Sequence, residues 1–466
     1  MGEISSLCFL RRLRELVMLA LAVVLVGCNS FSYTNARLIS AIDVSRVSMV
    51  MPPGTDRGNH RVLMILALSG GGSRAAYWSG NAMLKLSQVF SKEGLDILKE
   101  VDVISSVSGG SLPAAYYAIS RDENVSDNVH KRVWNEGTVR NLMSRSYLTR
   151  LFLNFYWPAN IFRYWFTAFD RSDIMSQVFA DNLFDDPVSG YDYSFGDVNP
   201  ERPLVLINAT QGSESVTDAR GCGLPENDIK MGFGQPFIFS GEFFRSLCSN
   251  LGSYSIARAV MASAAFPAVF PYMTLKNYSA SGGAESDRFT HIFDGGNYDN
   301  LGLSTAQAVI EKNMEKYDGI IVILVDAYTN TKGRSNAAYD GRDGFSYVID
   351  TNFLDSFDSL LNRVRQDRLR GLAARFRKEY SKNGKRGIFY HVKFDNLPQG
   401  DRLLDKLDAI PTSFNLSDDG KAAIDKFSDI MFVPENTCLR RIKALVEGDL
   451  TSTEDPWCTY DLNSFH

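Results

Sequence analysis

The chain is poor in histidine and has no surplus of positive charge. It holds five histidines among 466 residues, and no Cys-x-x-Cys pair stands at metal spacing from a second one, so we do not expect a structural zinc site. No EF-hand calcium loop is visible either, and no cofactor is predicted. The net charge is −5, whereas proteins that bind nucleic acid usually carry a basic surface. The sequence therefore excludes nucleic acid as an expected partner.

The first residues have the pattern of a lipoprotein signal peptide. A cluster of arginines precedes an apolar run over 16–27, which is too short to span a bilayer comfortably. Cys28 follows this run and resembles the cysteine of the bacterial lipobox, which becomes an acylated N-terminus. We predict a signal peptide over 1–27 and a lipid-anchored protein of the bacterial cell envelope, and Asn29 favours the outer membrane. An uncleaved signal anchor is the alternative.

The remaining cysteines suit an exported protein. Cys222, Cys248, Cys438 and Cys458 are left once Cys8 and Cys28 are assigned to the signal peptide and the lipid. Four cysteines allow three pairings. The local pairs, Cys222 with Cys248 and Cys438 with Cys458, close the shortest loops, and we predict these two disulfides.

After residue 60, continuous apolar runs alternate with helical patterns. Such runs are typical of strands buried on both faces of a sheet. We predict strands over 61–68, 101–108, 203–210, 290–296, 318–328 and 387–394. We predict helices over 73–90, 110–120, 255–266, 304–317 and 357–380. This alternation indicates an α/β fold with a mostly parallel central sheet flanked by helices. The predicted organisation is a tether over 28–60, a main domain over 61–400 and a C-terminal extension over 401–466.

One segment, 147–169, stands apart because it combines many Phe, Tyr and Trp residues with few charges. It could be a pair of core helices. It could also be an apolar flap over a lipid-accepting cleft, or a surface that enters the membrane interface, where Trp and Tyr concentrate.

A candidate nucleophile lies at the end of the second predicted strand, in the sequence SSVSGG. Ser108 follows the strand and precedes a helix, and open α/β sheets place their active sites at such strand ends. A sharp turn there needs small neighbours, which Ser106, Gly109 and Gly110 supply. We therefore predict a nucleophile elbow at Ser108, although an ordinary Ser- and Gly-rich loop would have the same composition.

Two further motifs supply the partners that a serine nucleophile needs. Gly70, Gly71 and Gly72 follow the first strand, and their backbone amides could stabilise an oxyanion, while Arg74 could brace this loop or meet a phosphate. Asp294 ends another apolar strand and could accept a proton, although a structural turn is the alternative.

The histidines of the chain are His60, His130, His291, His391 and His466. None of them stands in a motif typical of a catalytic triad, and His291 is the nearest rival to Asp294. A Ser-Asp dyad fits the sequence better than a Ser-His-Asp triad.

In this order, GGGxR, SxSGG, ASAAFP and DGG resemble the patatin-like phospholipase family, and they are also similar to the cytosolic phospholipase A branch. The resemblance covers roughly 62–303 and implies a patatin-like three-layer sandwich. It implies that Ser108 is the nucleophile, Asp294 the base and Gly70 to Gly72 the oxyanion loop. The segment 261–272 would line the site. Ser106 departs from the family, which usually has Gly there.

The expected function is hydrolysis of fatty acyl esters of phospholipids or other membrane lipids, of the phospholipase or lysophospholipase type. Two alternatives remain open at this point. The first is an acyltransferase that uses the same dyad. The second is a non-catalytic envelope lipoprotein that binds a lipid or a protein partner, although such a protein has no need of a nucleophile, a base and an oxyanion loop together.

Overall fold

The structure is a computed structural model, and it describes the greater part of the chain. The described residues are 35–39, 47–51, 61–125, 131–214, 222, 231–267, 269–279, 289–329, 352–376, 386–413, 415–449 and 455–460. The predicted signal peptide, Cys28, and three of the histidines, His60, His130 and His466, lie outside the described residues. So does most of the predicted tether.

Strands and helices alternate along the described residues, as predicted. The strands are β1 Ala36–Arg37, β2 Val62–Leu68, β3 Val103–Val107, β4 Arg121–Asp122, β5 Val133–Trp134, β6 Leu204–Gln211, β7 Pro236–Phe239, β8 Ser249–Asn250, β9 Met273–Lys276, β10 Phe289–Asp294, β11 Gly319–Asp326, β12 Arg386–Lys393 and β13 Trp457–Cys458. The helices are α1 Gly72–Gln88, α2 Ile97–Glu100, α3 Ser111–Ile119, α4 Glu136–Met143, α5 Tyr147–Phe155, α6 Pro158–Phe166, α7 Arg171–Phe179, α8 Gly241–Ser246, α9 Ile256–Ser263, α10 Gly296–Asp299, α11 Leu303–Asn313, α12 Asn352–Arg375, α13 Arg402–Asp408, α14 Asp418–Met431 and α15 Thr437–Val446.

In the described part of the chain, nine strands form the central sheet, in the order β13-β12-β11-β2-β3-β6-β10-β9, with β7 also paired to β6. The strands from β13 to β6 are parallel, and β7, β9 and β10 are antiparallel to their neighbours. Every residue of β2, β3, β6 and β11 is buried, which requires cover on both faces of the sheet. The predicted α/β fold, with a largely parallel sheet flanked by helices, is confirmed.

The register of the parallel strands brings the two predicted loops together. Leu68, the last residue of β2, pairs with Ser106 of β3, and Val107, the last residue of β3, pairs with Asn208 of β6. Because the carboxyl ends of parallel strands lie at one edge, the glycine run after β2 and the turn after β3 meet there.

The C-terminal helices pack against the main domain. The ring of Trp78 on α1 lies 5.0 Å from the ring of Phe427 on α14, and Lys85 of α1 forms an ion pair with Asp429 of α14 at 2.6 Å. The boundary that we predict at residue 400 remains a prediction, but the residues beyond it share the buried core.

Both predicted disulfides are confirmed. Cys222 is bonded to Cys248, with a Cα–Cα distance of 5.8 Å, and Cys438 is bonded to Cys458, with a Cα–Cα distance of 5.7 Å. The second bond joins α15 to β13, the strand at one edge of the sheet. It therefore ties the C-terminal part of the chain to the sheet.

The aromatic segment 147–169 forms the two short helices α5 and α6. Their large side chains are mostly exposed, so they are not the core helix pair that was one of the two sequence interpretations. Within the described part of the chain, no helix is long and apolar enough to cross a membrane.

Candidate active site

Ser108 occupies a sharp turn between β3 and α3. Its φ is +49°, in the left-handed region that residues with a side chain rarely adopt, and the turn continues through Gly110. The amide of Ser108 donates a hydrogen bond to Oγ of Ser263 at 2.8 Å, and that hydroxyl donates to the carbonyl of Asn208 at 2.6 Å. The strained serine is therefore held from α9 and β6 as well as by its own strand.

Ser108 and Asp294 are hydrogen-bonded, although 186 residues separate them. Oγ of Ser108 donates to Oδ2 of Asp294 at 2.9 Å. Oδ1 of the same carboxylate accepts from the amide of Gly296 at 2.7 Å, which orients it. Sheet register explains the meeting, because Asp294 pairs with Ala209, one residue beyond the Asn208 that pairs with the end of β3.

The Asp294 carboxyl lies in a buried environment that disfavours its charge. Burial raises the pKa of Asp294 to about 7, and the hydrogen bonds from Gly296 and Ser108 counter this only in part. A carboxyl with a pKa near neutrality can both accept and release a proton at physiological pH. That is the property that a general base of an acyl-transfer reaction needs.

The turn after β3 and the glycine run after β2 touch at backbone level. A Cβ at Gly109 would stand 2.1 Å from the carbonyl oxygen of Gly72, which no side chain could accept. Gly72 has a φ of +62°, and a Cβ there would stand 2.4 Å from the carbonyl oxygen of Ser413. Close approach therefore accounts for both glycines.

The amides of the glycine run differ in what they bind. Gly70 donates to the carbonyl of Asn300 at 2.9 Å, and Ser73 donates to the carbonyl of Ser413 at 2.8 Å. The amides of Gly71 and Gly72 have no hydrogen-bond acceptor among the described residues. Gly72 is also the first residue of α1, so the positive end of this helix lies at the site.

Arg74, two residues after the glycine run, ties the start of α1 to the residues that follow β11 and α13. Its guanidinium donates from Nε to the carbonyl of Ala327 at 2.8 Å, from Nη2 to Oγ1 of Thr412 at 3.0 Å, and from Nη1 to the carbonyl of Ile410. The side chain is 4% exposed. Of the two sequence interpretations, bracing the loop or meeting a phosphate, these contacts favour the brace.

The two described histidines have other partners. Nδ1 of His291 lies 2.9 Å from Oγ1 of Thr274, and burial lowers the pKa of His291. Nε2 of His391 lies 2.9 Å from Oδ2 of Asp326, which also binds Arg365. Among the described residues, no group of three or more His, Cys, Asp or Glu side chains is placed to hold a metal ion.

A small cavity lies beside Ser108, and its wall is mostly apolar. The wall includes Gly72, Ser73, Ala76, Ser108, Gly109, Leu112, Met143, Tyr147, Phe179 and Ala264. The hydroxyl of Ser108 and the backbone of the glycine run thus lie beside aliphatic and aromatic side chains. The polar side of this small cavity is therefore the side formed by Ser108 and the glycine run.

Sequence reasoning missed several residues that hydrogen-bond to the site although they are distant from it along the chain. Ser263 lies in the ASAAFP segment, so its position was indicated but its hydrogen bond to Ser108 was not. Asn300 lies in the segment after Asp294, where it accepts from Gly70. Ile410, Thr412 and Ser413 have no local signal, because a carbonyl or a hydroxyl in a loop looks the same whatever it binds.

These features define a class: α/β proteins with a strained serine at a sharp strand-to-helix turn, an aspartate within hydrogen-bond reach of that serine, and a glycine loop beside it. The profile of the family described as "Patatin-like phospholipase" matches residues 66–306, which is about half of the chain. The chain belongs to the patatin-like phospholipase family. No match was found among the curated proteins.

Solved structures similar to this chain include a human phospholipase and a bacterial protein. The human GIVD cytosolic phospholipase A2 is 12% identical, with a TM-score of 0.43, over 84% of this chain and 61% of that chain. VipD from Legionella pneumophila is 11% identical, with a TM-score of 0.25, over 86% of this chain and 70% of that chain. This chain therefore spans about three fifths of the length of the human structure.

Proposed function

We propose that this protein is a serine acyl hydrolase that cleaves fatty acyl esters of membrane lipids through the Ser108–Asp294 dyad. The observation that carries the proposal is the 2.9 Å hydrogen bond from Oγ of Ser108 to a buried carboxylate whose pKa is about 7. A serine hydroxyl is a weak nucleophile without a base. The buried carboxylate supplies that base at neutral pH.

The proposed reaction has two stages. As Oγ of Ser108 bonds to the ester carbonyl carbon, Asp294 takes the hydroxyl proton. When the tetrahedral intermediate collapses, Asp294 gives this proton to the departing alcohol oxygen, and an acyl-serine remains. Water then attacks the acyl-serine and loses a proton to Asp294, and the fatty acid leaves as Oγ recovers that proton.

The negative oxygen of each intermediate needs hydrogen-bond donors. The amides of Gly71 and Gly72 are proposed for this role, because the amide of Gly70 is already bound to Asn300. One such donor contributes about 3 to 4 kcal/mol to lowering the barrier. The N-terminus of α1 adds a positive electrostatic potential, which also stabilises the negative oxygen.

The part of the acyl chain nearest the ester is proposed to contact the apolar wall beside Ser108. Leu112, Met143 and Phe179 belong to this wall, and they offer apolar surface to a hydrocarbon tail. Membership of the patatin-like phospholipase family agrees with a lipid ester as the substrate.

A fluorophosphonate ester should react covalently with the full chain at Ser108. Its phosphorus takes the place of the ester carbonyl carbon, so reaction needs an activated hydroxyl. Peptide mapping should find one adduct, on Ser108, and the Asp294→Asn chain should react far more slowly. A folded chain that gives no adduct, or an adduct on another serine, would contradict the proposed function.

We also propose that Cys28 carries a lipid that holds the protein on the bacterial outer membrane. Several acyl chains anchor a protein stably, since each buried methylene contributes about 0.8 kcal/mol. Full-length protein made in its host should sediment with membranes, and the Cys28→Ala chain should lose its acyl groups, as read by intact mass. An unchanged mass would refute the anchor.

A further inference from the structure

Exposed apolar side chains concentrate on the two short helices α5 and α6 and on the two residues between them. Of the sixteen large apolar side chains that are exposed among the described residues, eight lie between Phe152 and Phe166. Tyr156 and Trp165 are each 70% exposed, and Trp157 is 65% exposed. Single exposed apolar residues are ordinary, but a contiguous group of this kind marks an interaction surface.

The helix α6 has its polar and apolar sides reversed relative to a helix that faces water. Its one buried residue is Asn160, whose amide donates to the carbonyl of Asn154 at 3.0 Å and to Oε1 of Gln177 at 3.3 Å. The aromatic residues of the helix point outward instead, apart from Tyr164, which packs on Phe155 of α5. The side chain of Asn160 therefore attaches the helix to the domain. The aromatic side of the helix remains exposed and is available for an apolar environment.

The segment that carries this surface contains arginines and no carboxylates, although Arg140 at its edge is paired with Glu136 and Asp425. From Gly137 to Phe169 the chain has four arginines, at positions 140, 145, 150 and 163, and no Asp or Glu. Arg150 and Arg163 belong to α5 and α6 themselves. The rest of the chain is acidic on balance, with a net charge of −5 for the whole sequence. Aromatic residues interleaved with arginine suit the headgroup region of a bilayer that contains anionic lipid.

The surface is also continuous with the candidate active site. Tyr147, the first residue of α5, lines the cavity beside Ser108, and its ring lies 5.4 Å from that of Phe179, another lining residue. One end of α5 thus borders the cavity, and the other leads to the exposed aromatic residues. Each helix has nine residues, about 14 Å, which is too short to span a bilayer but enough to lie in its surface.

We propose that α5 and α6 form a membrane-docking surface that enters the interface of an anionic phospholipid bilayer and brings the cavity mouth to the lipid. The purpose of this docking rests on the proposed function, because it would bring a lipid hydrolase to its substrate. Binding to the bilayer itself requires no hydrolysis. The aromatic residues would lie at the level of the headgroups and upper acyl chains, and Arg150 and Arg163 would meet phosphate groups.

The tryptophans of the chain provide the test. Trp157 and Trp165 are exposed, Trp78 and Trp134 are buried, and Trp457 is half-buried. The full chain carrying Ser108→Ala, which cannot turn over lipid, is bound to vesicles of phosphatidylethanolamine and phosphatidylglycerol that contain a phosphatidylcholine brominated near the headgroup end of its acyl chains. We expect its tryptophan emission to fall, and to fall less when the bromines lie near the methyl end.

The control variant is Trp157→Phe with Trp165→Phe, which keeps the aromatic surface and should lose the quenching. Arg150→Gln and Arg163→Gln should each weaken docking on anionic vesicles by about fivefold. Arg370→Gln, at a position 79% exposed on α12, should leave it unchanged.

Vesicle-bound protein with no quenching would overturn the proposal. Quenching that persists in the double tryptophan variant would overturn it as well, because other residues would then be inserted. A dimer that dissociates on Trp157→Ser with Trp165→Ser, without quenching in the parent, would assign the surface to a second copy of the chain. Because no readout depends on turnover, a failure of docking is distinct from a failure of the hydrolase assignment.

Discussion

Replacing Ser108 by alanine is expected to lower the hydrolysis of a fatty acyl ester by about four orders of magnitude or more, because no other group replaces the attacking oxygen. The fold should persist. The side chain is small, and the neighbouring hydrogen bond from the Ser108 amide to Ser263 does not involve the hydroxyl that is lost. Initial rates on a chromogenic acyl ester, together with the melting temperature of the same preparation, check both statements.

Ser106→Ala is the matched control, because it removes a hydroxyl two residues earlier, in the strand β3 that leads to Ser108. Oγ of Ser106 is buried and has no hydrogen-bond partner among the described residues. Its loss should leave the rate within a few-fold of the parent and should not lower stability, since an unpaired buried hydroxyl is unfavourable. An equal loss of rate in the two variants would show that the turn tolerates no substitution. A fully active Ser108→Ala chain would show that Ser108 is not the nucleophile.

Asp294→Asn should lower the rate of acylation by about three to four orders of magnitude, because an amide cannot take the proton from Ser108. In the parent, kcat/KM should rise with pH and level off above about 7, where the carboxyl is ionised. The residual activity of the variant should lack this step. A His291→Ala chain that lost more activity than Asp294→Asn would mean that the base is wrongly assigned.

The same substitution should change how stability depends on pH. The pKa of Asp294 is raised from its ordinary 3.8 to about 7, so the folded state holds this proton more tightly than the unfolded state does. This contribution to stability is complete below about pH 4 and is lost as the pH rises through 7. Between those limits the free energy of unfolding of the parent should fall relative to Asp294→Asn, by up to about 4 kcal/mol.

Urea unfolding of both chains at pH 5 and pH 8 measures this difference. The asparagine chain should be the more stable of the two at pH 8, because it buries no charge and can still accept from Gly296. A difference that grew in the opposite direction would mean that Asp294 is stabilised as a carboxylate, and that its pKa lies below its ordinary value.

The sequence predicted the parts of this structure that have a local signature. The strands that lead to Ser108 and Asp294 are rich in apolar residues, and β3 and β10 differ from the predicted ranges by no more than two residues at either end. Short strands such as β7 and β9, four residues each, were not predicted because so few residues show no clear period.

Other features depended on tertiary contacts that have no local pattern. The composition of 147–169 allowed either a core helix pair or a surface, and the exposed aromatic side chains together with the inward packing of Asn160 separate the two. The motif alone does not show what Gly70 or Arg74 binds. Their partners, Asn300 for one and Ile410 with Thr412 for the other, lie more than 200 residues away.

The contacts of Arg74 also have a consequence for the time at which the site is completed. When synthesis of the chain has reached residue 306, every residue matched by the family profile has been made, including Ser108 and Asp294. At that point the partners of Ser73 and Arg74 have not yet been made. They are the carbonyl of Ile410, the hydroxyl of Thr412 and the carbonyl of Ser413. The start of α1, next to the glycine run, therefore lacks these contacts until the last part of the chain has been synthesised.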